Sequence, residues 1–565
     1  MKRCPECRRD YYDDSLSYCL EDGAPLVSGV PDEPATAILS GDRQTTESAT
    51  RTFDASTAIN NSDQIKTGHA SSKKRTFITA AICLAILVAA VGVGGYMYLG
   101  RAGNECISSI AVMPFENRSG NNETDYLSDG LTDSLIFRLS QLPDLKVSPT
   151  SSVMHYRSSP SDIAQIAKEL DVDAVMTGRL AQVGDALNIS VQLTDSRTKK
   201  LIWAEQYDRK MADLLSTQRE IATTITQKLQ LKLSGNEKGI AKKYTNNSEA
   251  YQLYLKGRYY WSKRNKEDMF KAIDSYKQAI ALDPNFALAY AAMAEVYNSM
   301  AKDPDVAPKD AVPFAKSAAA RALELDPTLP EAHSALGDSL AIYDWNWVDS
   351  ERELKRAIEL DPNISYIHLV YSGSYLGPIG KTNEAVSEAE HAVDLEPLSL
   401  INNAVLTSAY LNDRQFDKAI TQGLKSYELD PNFPLSRHWL GMAYVATQQY
   451  DKAVAISLEV PADSPSRWLS VVALGHAYAK MGRRADAEQQ IAMLRDLTMT
   501  RYVRPYYIGS IYAALGDKDK AFAELKRSFE ERDVYLNRVN SDPFMDPLRD
   551  DPRFKDLLKR LNLAQ

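Results

Sequence analysis

No cysteine follows Cys106 in this chain of 565 residues, so the large C-terminal part has no internal disulfide and is held by packing alone. A basic excess is missing too: 66 Lys and Arg stand against 75 Asp and Glu, a formal net charge of -9. That balance excludes a large phosphate-neutralising surface, and nucleic acid is not an expected partner. Gly130 stands alone near a helix start, without the companion glycines of a phosphate loop. Asp129, Asp133, Asp171 and Asp173 fall in helix starts and loops with no nucleophile or paired spacing beside them, and no enzymatic activity is expected.

Long apolar runs are also scarce, and the exception organises the chain. Residues 77–99, FITAAICLAILVAAVGVGGYMYL, carry no charged side chain. At about 1.5 Å of rise per residue such a run crosses a hydrocarbon core of about 30 Å. Lys73, Lys74 and Arg75 precede it, so the positive-inside rule predicts a single-pass bacterial inner-membrane protein with a cytoplasmic N-terminus and periplasmic C-terminal domains. Ala81, Ala85 and Ala89 form a small-residue stripe that offers a homodimer contact.

Ahead of that run, CPECRRDYYDDSLSYCLEDG places Cys4 and Cys7 at knuckle spacing, with Cys19 opening a second knuckle and Asp22 where a fourth ligand would stand. Three thiolates and a carboxylate suit a structural zinc ion, and a module this short draws its folding energy from the metal. Residues 1–27 resemble the short N-terminal zinc ribbons of bacterial membrane proteins. Residues 28–72, rich in Ser and Thr with Pro31 and Pro34, read as a disordered linker.

Residues 106–234 are patterned as a mixed α/β domain. IAVMPF is a short apolar strand, 126–142 a helix with Leu127, Leu131, Leu135 and Leu139 on one face, and DAVMTGRLAQ with LNISVQLTD a hairpin about Gly184 and Asp185. A further strand is predicted over 201–205 and a closing helix over 213–233. IAVMPFEN, YLSDGLTDSL, DAVMTGRL and LIWAEQYDR resemble the TolB N-terminal-like, FlgO-type domain; the resemblance implies an interaction or sensing module.

The rest is periodic. Gly441, Gly475 and Gly509 are spaced by 34 residues, as are Tyr410, Tyr444, Tyr478 and Tyr512. Asp283, Asp326, Asp361, Glu396 and Asp430 each precede a proline, which forces the preceding residue out of helical conformation and ends a helix. These features resemble the tetratricopeptide repeat, in about eight units over 249–533, stacked as an all-α superhelix with a concave groove. Residues 534–565 read as a C-terminal cap, and Trp345 and Trp347 as packing residues in the turn of the third unit. On the repeat register His438, Met442, His476, Tyr506 and Ser510 face the groove and are the candidate contacts for an extended protein partner.

Together these features describe a multidomain chain: zinc ribbon, transmembrane helix, mixed α/β domain and tetratricopeptide superhelix. The expected function is membrane-anchored signalling by capture of a protein partner, with a passive envelope scaffold, or an enzyme in the α/β domain, as alternatives.

Overall fold

The computed structural model describes residues 2–3, 10–11, 27–28, 107–120, 124–142, 145–157, 162–229, 244–302, 306–461, 464 and 466–563. The chain divides into two compact units, Met1–Tyr96 and Met97–Gln565. In the first, β1 (Lys2–Arg3) pairs antiparallel with both β2 (Asp10–Tyr11) and β3 (Val27–Ser28). Cys4, Cys7, Cys19 and Asp22, and the apolar run 77–99 with its alanine stripe, lie outside the described residues. Among the described residues no helix is long and apolar enough to cross a membrane, and the expected single-pass inner-membrane placement is withdrawn.

The second unit opens with the mixed α/β domain. Its strands β4 (Ser109–Val112), β6 (Lys146–Val147), β7 (Ala174–Val183), β8 (Ala186–Asp195) and β9 (Leu201–Lys210) lie in the order β6-β4-β7-β8-β9, with β5 (Glu116–Asn117) added beside β7. The first strands pair in parallel and β7 to β9 antiparallel, because only the latter are joined by tight turns. Gly184, at φ 59°, supplies the left-handed conformation that the β7–β8 turn needs. The third long strand runs to Lys210, past the predicted end at 205, because Tyr207 keeps the inward alternation and is buried.

Helix α1 (Asp125–Ser140) lays Leu127, Leu131, Leu135 and Leu139, all fully buried, toward the sheet. Two short helices follow, α2 (Thr150–Met154) and α3 (Ile163–Glu169), and α4 (Leu214–Lys228) closes the domain.

Among the described residues eight helix pairs then run from Ser248 to Glu530. The helices that matter below are the first members of their pairs: α5 (Ser248–Ser262), α7 (Ala287–Lys302), α9 (Pro330–Ser339), α15 (Pro434–Ala446), α17 (Arg467–Lys480) and α19 (Pro505–Ala514). Asp283, Asp326, Asp361 and Asp430 end second helices in extended backbone, as a following proline requires.

The array curls until its far units meet. Arg504, ahead of α19, donates to the Ala301 carbonyl at 3.0 Å, and Arg532 to that of Tyr343 at 3.1 Å. Trp345, in the left-handed region at φ 54°, stacks on Phe529 at 4.8 Å between ring centres. Trp347 donates its indole N–H to the Leu561 carbonyl at 2.8 Å. These tryptophans tie the third unit to the end of the chain.

Residues 534–563 do more than cover the last apolar face. Two tight turns, Leu536–Asn540 and Pro543–Leu548, precede the final helix Pro552–Arg560 and run back along the repeats. Asn540 reaches the Pro378 carbonyl at 3.2 Å, Arg538 lies 5.2 Å from the Trp439 ring centre, and Arg414 makes a two-pronged ion pair with Asp546 at 2.7 and 2.8 Å. Val539, Met545 and Leu548 are fully buried, so the segment is part of the core of the later units.

Candidate functional site

The segment decides what the predicted groove residues can do. His438 and Met442 lie on α15, His476 on α17, and Tyr506 and Ser510 on α19, and none is more than 4% exposed. Tyr506 donates its hydroxyl to Asp542 at 2.5 Å, Phe544 packs on His476 with ring centres 4.9 Å apart, and His476 Nε2 meets the Ser510 hydroxyl at 2.9 Å. Burial lowers His438 to about 4 and His476 to about 3, which keeps both imidazoles neutral at ordinary pH. The expected open surface at these five residues is corrected to a buried one, because the chain's own C-terminal segment lies over it.

The open part of the groove is at the other end. A cavity of about 1110 Å³ is bounded by α1 and α2 of the α/β domain and by the first helices of the early repeats. The α/β domain is fixed there by close packing and polar ties. Gly130 on α1 faces Leu255 on α5 so closely that an added Cβ would stand 2.9 Å from the Leu255 Cβ. Arg258 on α5 grips Asp133 through Nε at 3.1 Å and Nη2 at 3.0 Å, while Thr150 donates to the other Asp133 oxygen at 2.8 Å. The Tyr251 hydroxyl joins Ser134 at 2.8 Å to Gln218 at 2.7 Å. Two turn carboxylates of the array serve the same docking: Gln141 donates to Asp361 at 2.7 Å and Ser151 to Glu396 at 2.8 Å.

Inside the cavity the charges are unevenly satisfied. Asp129 pairs with Arg157, although burial still pushes its carboxyl up to about 6 against the pull of that arginine. Asp338 pairs with Lys302 at 2.8 Å. Glu295 accepts the Trp261 indole N–H at 3.2 Å, and Glu331 has one oxygen, Oε2, sealed from solvent with no hydrogen-bond partner among the described residues. Burial is the largest of the causes that raise Glu331 to about 7; the nearby carboxylates of Asp361 and Glu295 add to it, and its own backbone N–H and Arg258 oppose it. Tyr254, Trp261 and Tyr366 supply aromatic walls.

The sequence reading passed over Arg258, Glu295 and Glu331. The second pair carries extra residues that take the array off the 34-residue register, so the repeat pattern does not point to these positions. The signal available in the sequence is a charged residue on each of the first helices of the first three pairs: Arg258 in SEAYQLYLKGRYYWS, Glu295 in ALAYAAMAEVYNSMAK and Glu331 in PEAHSALGDS. Among the described residues no group of three or more His, Cys, Asp or Glu is arranged to hold a metal ion.

Comparison with known proteins adds two family matches. Residues 104–224 match the HilA/YgeH-like transcriptional regulator, second domain, and residues 266–300 match the TPR repeat. The chain therefore carries tetratricopeptide repeats, and its α/β domain is similar to the HilA-type second domain where a TolB-type domain was expected. The chain is 30% identical to putative adenylate cyclase 3 of Rhizobium meliloti over 41% of its own length and 40% of the relative's. It is 25% identical to the transcriptional regulator HilA of Salmonella typhimurium over 40% of each chain. The chain thus spans about two fifths of the length of these curated relatives. Pseudomonas aeruginosa PilF, a solved structure, is 18% identical over 39% of this chain and 94% of its own, at a TM-score of 0.30. The similarity to a protein named as a cyclase overturns the expectation that the chain has no enzymatic role.

Proposed function

We propose that this chain is a regulatory interaction module in which the early tetratricopeptide units and the docked α/β domain together receive an extended segment of a protein partner. The observation that carries the reading is the cavity of about 1110 Å³ between them, lined by first-helix faces and left uncovered by the chain's own C-terminal segment. Tetratricopeptide repeats support protein binding, because their first helices present a preformed concave surface to an extended chain. The regulatory part rests on the relatives: similarity to one protein named as a transcriptional regulator and another named as a cyclase suits an input module attached to different outputs. A photoreactive amino acid in place of Tyr259 in the cavity, compared with one in place of exposed Leu424, tests the proposal. Cross-linking to a protein of the source cells from the cavity position alone supports it; equal labelling from both positions overturns it.

A second reading, catalysis, is favoured by the name of the Rhizobium relative, and assay of the full chain for cyclic nucleotide formation from ATP tests it. For the N-terminal head we propose one structural zinc ion held by Cys4, Cys7, Cys19 and Asp22. A metal content of one zinc per chain, lost in Cys4→Ser, is the expected result.

A further inference from the structure

We infer that the cavity recognises a cationic side chain, lysine or arginine, presented by an extended segment of the partner protein, with Glu331 and Glu295 as its anionic seat and Tyr254, Trp261 and Tyr366 as its walls. The inference rests on the proposed partner-binding role and specifies the partner's chemistry.

Three independent features lead to it. First, the acids that line the cavity differ in their partners. Asp129, Asp133 and Asp338 each have a cation within ion-pairing distance, whereas among the described residues none lies within that distance of Glu295, Glu331, Glu396 or Asp430. Glu396 and Asp430 stand in turns, and Glu396 is taken by Ser151 and Ser365, which leaves Glu295 and Glu331 on the first helices. Second, the Glu331 Oε2 atom is sealed and unpartnered. Leaving a carboxylate oxygen so is costly, and turning the side chain into the cavity to meet an incoming N–H donor removes the cost. Third, aromatic faces are favourable seats for a cation, and this cavity already uses them for one: Arg264 lies 3.7 Å from the Trp261 ring centre and 5.8 Å from that of Tyr366. Trp261 also donates its indole N–H to Glu295, which fixes the carboxylate beside the ring.

A cation there would complete a pattern the array uses elsewhere. Arg258 between α5 and α1, and Lys302 opposite Asp338, each bring a basic side chain to a carboxylate of a neighbouring element. The volume exceeds what one side chain fills, which favours a segment of several residues over a free amine.

The test is titration of the full chain with fluorescein-labelled decapeptides of one Gly-Ser-spaced design, carrying lysine and arginine, glutamate, or glutamine at the variable positions, with arginine amide as a free small cation. The expected result is binding of the basic peptide alone, weakened about tenfold or more by Glu331→Gln and by Glu295→Gln, with both variants still unfolding cooperatively on heating. Hydrogen exchange on the unmodified chain gives a second readout: the basic peptide protects 248–262 and 330–339. Preference for the glutamate or glutamine peptide, with the same helices protected, overturns the cationic assignment and leaves the partner-binding role standing. Binding of arginine amide as tight as that of the basic peptide overturns the segment as its source. No protection of these helices by any peptide overturns both the assignment and the role.

Discussion

The Tyr506 hydroxyl, on the inner helix of the eighth repeat, donates at 2.5 Å to Asp542 in the segment that follows the repeats. The bond is partly buried, and burial raises the Asp542 carboxyl despite the hydrogen bond from Tyr506 and the nearby Arg538 and Arg549. The later half of the groove is thereby closed by the chain itself, while the earlier half, under the α/β domain, keeps its cavity.

Tyr506→Phe removes that donor and leaves Asp542 Oδ2 short of a partner, while Oδ1 keeps the Phe544 N–H. The expected loss is about 1–3 kcal/mol, read as a lower denaturation midpoint. Faster hydrogen exchange in 536–548 than in the α/β domain locates the loss in the segment; uniform acceleration contradicts it.

Phe544→Ala removes the ring that covers His476. Truncation of a packed phenylalanine costs about 3–5 kcal/mol when the site is well enclosed, and Phe544 is only partly buried, so the lower end applies. The variant should also allow His476 to be modified by diethyl pyrocarbonate, which the parent resists.

Acid weakens the same region in a direction set by the two histidines. Burial holds His438 at about 4 and His476 at about 3, below the ordinary 6.5. Above that ordinary value both the folded and unfolded chains are neutral, and stability is complete. As pH falls through 6.5 the unfolded chain takes up protons that the folded one refuses, so stability is lost toward pH 4. Denaturant midpoints measured from about pH 7.5 to about pH 5 should fall, and fall less steeply in His476→Gln. Equal slopes contradict the assignment.

Gly130→Ala is expected to loosen the α/β domain from the first repeat. In an isolated helix the change helps by about 1 kcal/mol, but here the new Cβ stands 2.9 Å from the Leu255 Cβ, and overpacking costs about 1–3 kcal/mol. Calorimetry should show the single transition broaden or split; a higher midpoint would contradict the close approach.

Much of the architecture was legible because it is periodic. Leu127, Leu131, Leu135 and Leu139 mark a helix and Leu187, Ile189, Val191 and Leu193 a strand, through spacings fixed by backbone geometry. The 34-residue repeats likewise predict helix pairs without reference to their contacts. The groove was read less well. His438, His476 and Tyr506 stand on first helices, yet what covers them is Asp542 and Phe544, whose return along the array is set by its curvature. Curvature sums small rotations over many units, and no local spacing records it. Glu331 was missed because the extra residues of the second pair take its helix off the 34-residue register.

The central claim is that the groove is divided, with the later units closed by the chain's own segment and the earlier units open to a basic partner segment. Hydrogen exchange of the full chain with and without the lysine- and arginine-containing decapeptide, followed from about pH 6 to about pH 8, tests both halves together. The account predicts new protection in 248–262 and 330–339, none in 434–446, 467–480 or 505–514, and unchanged exchange in 536–548. It also predicts tighter binding as pH rises, because Glu331, raised to about 7 chiefly by burial and further by Asp361 and Glu295 against the pull of Arg258, must give up its proton to receive a cation. Protection of 434–514 with release of 536–548 would contradict it, since the segment would then be a displaceable occupant of the site that the partner uses.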